Sequence, residues 1–206
     1  VRDSMEHAAF GQAGQRVLIE QFLDGEELTV MAFTDGRTVV PMLPAQDHKR
    51  VGNGDTGLNT GGMGAYCPAP LGTTALREQV TRQVLYPAVE ALSRMGCPFQ
   101  GVLYAGLMVV QGMPYVLEFN ARMGDPETQV VLPLLKTDFL EVIEAIIEHR
   151  LDQITVDWHN DTAVCVVMAS GGYPGSYQTD RVIHGLPTET DATTMVFHAG
   201  TRRIGA

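Results

Sequence analysis

The chain has 206 residues, 45% of them hydrophobic, with 14 Lys plus Arg against 24 Asp plus Glu, for a net charge of −10. That is enough apolar material for one large domain, or for one domain and part of another. The acidic balance excludes a nonspecific nucleic-acid or anionic-membrane surface, which needs clustered positive charge, while leaving room for a local basic pocket around a small phosphate.

Arg2 to Phe10 reads as the end of an amphipathic helix, stopped by Gly11 and Gly14. Val17–Phe22, Leu28–Phe33 and Thr38–Met42 are β-type runs separated by Asp24-Gly25 and Asp35-Gly36, the pattern of an antiparallel meander. Glu20, Glu26 and Glu27 flank its first turn. A carboxylate at a strand start can accept both hydroxyls of a ribose; it can equally be a solvated turn residue. From Gln46 to Pro70 little periodicity is visible, and six glycines fall between Gly52 and Gly64. Such a loop lets backbone N–H groups approach an anion, although it lacks both the P-loop and the GxGxxG spacing, and the plain alternative is a flexible loop. Lys49 and Arg50 add positive charge beside Asp47 and Asp55, a mixture that points to a phosphorylated polyol with an amine rather than a bare anion.

Thr73 or Thr74 can cap a helix running to about Met95, with Pro87 as a kink and Leu76, Val80, Val84, Val89 and Leu92 as its apolar face. Gly101–Val110 and Tyr115–Asn120 form a hairpin about a turn at Gln111–Pro114. On the second strand Glu118 and Asn120 share a face, where a carboxylate beside an amide oxygen suits a hard cation such as Mg2+. Arg122 adds a planar fork for phosphate oxygens, and Asp125 and Glu127 follow in a Gly-Asp-Pro turn. The plain alternative is a strand end with a solvated Glu. A helix starts at Thr128, and Thr137 can cap another over Asp138–His149 with Phe139, Leu140, Ile143, Ile146 and Ile147 buried. The composition changes near residue 160, where a β run, Ala163–Ala169, begins; Val182-Ile183 and Met195–His198 are also strand-like.

Cys67, Cys97 and Cys165 show no metal-ligand spacing, which suits a reducing compartment. No run approaches a transmembrane span and no signal peptide is evident. The chain starts at Val1 in helical-looking sequence, as a fragment would.

Six blocks, taken in order, resemble the phosphoribosylamine–glycine ligases of the ATP-grasp superfamily. They are IEQFLDGEE (19–27), PAQDHKRVGNGDTG (44–57), NTGGMGAY (59–66), GVLYAGLM (101–108), LEFNARMGDPETQ (117–129) and ASGGYPGSY (169–177). Leu58, Ala121 and Met123 depart from the family pattern without touching a charged site residue. The resemblance implies an α+β fold: an ATP-grasp module of antiparallel sheet with flanking helices over 1–160, incomplete on its N-terminal side, then the start of a small β-rich C-terminal domain over 161–206. It implies that Glu20, Gln21, Phe22 and Leu23 contact adenine, with Glu27 on the ribose. It further implies that Glu118 and Asn120 bind Mg2+ or Mn2+ and that Arg122 faces the transferred phosphoryl group. Asp47, Lys49, Asn59, Thr60, Gly61, Gly62, Asp125 and Glu127 would frame phosphoribosylamine and glycine. A cytoplasmic enzyme using ATP and small-molecule substrates follows, with no nucleic-acid or membrane partner. The family's phosphate-binding lysines would precede Val1, so the chain alone is expected to be inactive without that N-terminal portion. Another ATP-grasp purine ligase, or a non-catalytic nucleotide- or partner-binding module, remains as an alternative.

Overall fold

The computed structural model describes residues 2–7, 11–187 and 193–204. Its elements in chain order are α1 (Arg2–Met5), β1 (Glu26–Thr34), β2 (Val39–Pro41), β3 (Gln46–Asp47), β4 (Arg50–Gly52), β5 (Thr56–Asn59), β6 (Gly64–Cys67), α2 (Thr74–Val80), α3 (Tyr86–Arg94), β7 (Gly101–Val110), β8 (Met113–Asn120), α4 (Thr128–Val131), α5 (Phe139–Ile147) and β9 (Ala163–Val166).

An antiparallel sheet in the order β2-β1-β7-β8 is the spine. β1 is buried almost throughout because both of its faces are covered. Leu28, Val30 and Ala32 pack with Leu103, Ala105 and Leu107 of β7 under Leu76, Val80, Val84 and Val89. Met31 and Phe33 face the other way, into a second core with Met42, Ala65, Cys67, Val130, Val142 and Ile146. Period-two alternation thus divides one strand between two cores. The first is roofed by the helix predicted over 74–95. Thr73 caps it, accepting from the Leu76 amide at 3.2 Å, and a π-helical turn over Thr81–Leu85 leads into Pro87 near the start of α3. A π turn widens the ladder and accommodates the proline without ending the helix.

Several expectations change. Val17–Phe22 is not a strand, and Leu18, Ile19 and Phe22 are exposed, so the meander loses its first member. A β-prone run becomes a strand only where a neighbouring strand completes its ladder. The apparent loop over 46–70 is largely one long hairpin: β3 pairs with β6 and β4 with β5, the glycines falling at its tip and its irregularities. The cap of α5 is Asp138, which accepts from the Leu140 amide at 2.8 Å, not Thr137, whose hydroxyl is engaged by Thr155 and Asp157. That helix buries Val142, Ala145 and Ile146, while Phe139, Leu140 and Ile147 are exposed. Val182-Ile183 and Met195–His198 form no strands. Of the N-terminal helix, Arg2–Met5 is helical, and Phe10 lies outside the described residues. β9 adds to β6, giving a second sheet in the order β3-β6-β9.

Candidate active site

The site is written on one face of the β1-β7-β8 sheet. Register places Thr29 opposite Gly106 and Met31 opposite Tyr104. On the far side of β7, Gly106 lies opposite Glu118 and Tyr104 opposite Asn120. Glu27, Thr29, Tyr104, Gly106, Glu118 and Asn120 therefore point the same way. A bulge between Gly106 and Leu107 shifts the β7–β8 pairing, as bulges near sites commonly do. A cavity of about 160 Å³ opens on this face, lined by Glu27, Thr29, Lys49, Tyr104, Gly106 and Glu118 among others. Gly106 forms part of its wall: a Cβ there would lie 3.3 Å from both Glu118 Cγ and Tyr104 Cε1.

Lys49 enters the cavity from the β3–β4 junction and donates to Glu27 Oε2 at 2.7 Å. Burial opposes its charge, but the Glu27 hydrogen bond and the charges of Asp47, Glu27 and Glu118 outweigh it, so its pKa is raised. Behind the cavity the polar groups are almost inaccessible. Glu127 is 2% exposed and Asp47 8%. Tyr104 donates to Glu127 Oε1 at 2.7 Å and Thr29 to the same oxygen at 3.1 Å, the two hydroxyl oxygens being 2.9 Å apart. Burial first, and then the charge of Glu127, push the Asp47 carboxyl up to about 6, despite an opposing contribution from Lys49. Burial and the neighbouring Glu127 likewise raise the Tyr104 phenol. One lysine among four carboxylates leaves the region negative and suited to a cation.

Exposed Glu118 and half-buried Asn120 stand side by side on the edge strand, Asn120 Nδ2 donating to Glu118 Oε1 at 3.1 Å. A half-turn of the amide exchanges its nitrogen for its oxygen, giving two adjacent hard donors. Among the described residues no three His, Cys, Asp or Glu side chains are grouped to hold a metal. The pair fits an ion that keeps waters and takes phosphate oxygens for its remaining positions, the habit of Mg2+. Arg122 is exposed and donates to the carbonyl of Met123 at 2.9 Å. Asp125 is exposed and accepts from Gln129 Nε2 at 2.7 Å. Glu20, Gln21 and Phe22 are exposed, Leu23 is half-buried, and none of the four lines the cavity.

Over Thr60–Met63 the glycine-rich segment does not present free amides. The Thr60 amide donates to Lys49 O at 2.7 Å, Gly61 to Tyr173 Oη at 3.0 Å, Gly62 to Thr60 Oγ1 at 3.0 Å and Met63 to His48 O at 2.7 Å. In that stretch the anion cradle expected of the glycine-rich loop is closed by its own partners. Gly62 has φ +122°, and a Cβ there would lie 2.5 Å from Pro126 Cδ, so the β5–β6 junction packs directly on the Asp125-Pro126 turn. Thr29, Tyr104, Gly106 and Tyr173 were not singled out as site residues from the sequence. The signal for Tyr104 and Gly106 was their place in GVLYAGLM, on the strand facing Glu118.

A profile of the phosphoribosylglycinamide synthetase ATP-grasp (A) domain matches residues 1–128, and one of the same family's C domain matches residues 163–206. The chain belongs to the phosphoribosylglycinamide synthetase family. It is similar to the phosphoribosylamine–glycine ligase of Synechocystis sp., 54% identical over 194 residues, covering 93% of this chain and 46% of that one. It is also similar to the Escherichia coli (strain K12) phosphoribosylamine–glycine ligase, 50% identical over 203 residues, with coverages of 98% and 47%. The chain thus spans about half the length of these curated relatives. The crystal structure of the Thermotoga maritima phosphoribosylamine–glycine ligase superposes with a TM-score of 0.69 at 35% identity, over 77% of this chain and 40% of that one. The synthetase fold here is an ATP-grasp fold.

Proposed function

We propose that the complete protein joins glycine to 5-phosphoribosylamine at the expense of ATP, releasing ADP, phosphate and glycinamide ribonucleotide, in the cytoplasm. The observation that carries this is the single sheet face on which Glu27 and Glu118 meet Lys49 around one cavity, with Asn120 bonded to Glu118 beside it, in a chain of the phosphoribosylglycinamide synthetase family. Residues 1–160 supply the ATP and substrate site and 161–206 open the second domain, a division supported by the two profile matches.

In this reading Glu27 accepts the ribose hydroxyls and Glu20–Leu23 lie along the adenine. Glu118 and Asn120 hold a divalent ion, Mg2+ or Mn2+, which when bound neutralises phosphate charge. Arg122 turns from Met123 O to the γ-phosphoryl group, where its fork stabilises the charge that develops as a glycine carboxylate oxygen attacks phosphorus and ADP leaves. The amine of phosphoribosylamine then attacks the acyl carbon of glycyl phosphate, expels phosphate and loses a proton. Asp47, Lys49, Asn59–Gly62, Asp125 and Glu127 frame that acceptor. Closure keeps water from the acyl phosphate.

The test is ADP release from the complete protein with ATP, carboxyl-18O glycine and phosphoribosylamine. One labelled oxygen should pass from glycine into phosphate. ADP formation that ignores glycine, or phosphate without label, would overturn the assignment.

A further inference from the structure

The phenol of Tyr173, beyond residue 160, reaches back to the β5–β6 junction of the long hairpin and accepts from the Gly61 amide at 3.0 Å. The neighbouring amides of Thr60, Gly62 and Met63 are spent on Lys49 O, Thr60 Oγ1 and His48 O, so Thr60–Met63 offers no free backbone donor to a ligand. A phenol is both acceptor and donor. Among the described residues no acceptor takes the Tyr173 hydrogen, and the ring is half-buried, braced edge-on against Tyr177 at a centroid distance of 5.8 Å. A phenol that accepts a hydrogen bond becomes a stronger donor through its own hydrogen. Gly62 of the same junction packs on the Asp125-Pro126 turn, so Tyr173 is bonded to one of the two adjoining segments to which the acceptor substrate is assigned above.

We propose that Tyr173 is a substrate-binding residue. Its hydroxyl relays the Gly61 donor outward to an oxygen of the phosphorylated amino sugar, so that a residue of the C-terminal segment helps select the acceptor. The inference rests on the functional reading above. It also replaces the open amide cradle with a single phenolic donor.

Tyr173→Phe in the complete protein keeps the ring and its stacking on Tyr177 while removing the donor. The KM for phosphoribosylamine should rise about tenfold, the effect of one hydrogen bond to substrate. The KM values for ATP and glycine and the melting temperature should hold. Equal rises in all three KM values with a lowered melting temperature would make Tyr173 a structural clasp and overturn the proposal, as would three unchanged KM values. If the wild type prefers a different acceptor, the functional reading fails; a KM increase confined to that acceptor would still sustain the role of Tyr173.

Discussion

Glu118 and Glu127 belong to one short motif and live in opposite environments. Glu118 sits on an exposed edge strand with the Asn120 amide as its hydrogen-bond partner. Glu127 is 2% exposed and held by two hydroxyls from two different strands. A carboxylate free to exchange partners is equipped to bind a ligand, whereas one that is buried and already bonded shapes the ground on which ligands sit. Proximity in sequence therefore says little about which carboxylate does chemistry. The contrast predicts which substitutions change activity and which change stability.

The largest expected effect is on activity. Glu118→Gln in the complete protein removes, at a solvated position, the charge proposed to bind the metal, so kcat/KM should fall on the order of 100-fold, with a higher Mg2+ requirement. The melting temperature should stay put. A marked loss of stability at normal turnover per folded molecule would reverse the contrast.

Glu127→Ala should do the opposite first. It opens a cavity and strips two hydroxyls of their shared acceptor, while Thr29 and Tyr104 can still bond each other across 2.9 Å and the strain on Asp47 is relieved. A net cost of about 2–3 kcal/mol follows, a drop of roughly 5–10 °C for a chain of this size. An unaltered melting curve would show that the network contributes nothing to the fold.

Asp47 sharpens the comparison through pH. Its carboxyl is pushed up to about 6 from an ordinary 3.8, so the folded state binds its proton more tightly than the unfolded state does. The favourable contribution is complete below the unfolded value and is lost as pH rises through about 6. Asp47→Asn should therefore stabilise the protein at pH 8, on the order of 2 kcal/mol, with the gain shrinking toward pH 4. Because Asp47 is assigned to the acceptor site, the variant should also lose activity. A gain that does not vary with pH would exclude titration of Asp47 as its source.

The legible part of this chain was what local pattern controls. The β7–β8 hairpin, the Thr73 cap and the same-face placement of Glu118 and Asn120 all follow from alternation, turn residues and capping chemistry within a short window. What failed depended on distant partners. Val17–Phe22 carries a strand's composition but no ladder, and the glycines of 52–64 concealed a hairpin whose pairing is set by β3 and β6. The burial of Glu127 is set by Thr29 and Tyr104, which arrive from other strands. No window around Gly124-Asp125-Pro126 contains them.

The smallest effect is also the most discriminating. In the wild type Tyr104 and Thr29 both donate to one oxygen of Glu127. Tyr104→Phe leaves Thr29 as donor, and Thr29→Val leaves Tyr104, so each single variant should lose only about 1 kcal/mol. The double variant leaves a buried carboxylate without either donor, in a region where Asp47 is also negative. Its loss should exceed the sum of the two by about 1 kcal/mol, a coupling readable by denaturant melts of all four proteins under one condition. Strict additivity would mean that water or a rearranged neighbour replaces each hydroxyl independently. Glu127 would then be solvated in practice, and its difference from Glu118 would be one of position only.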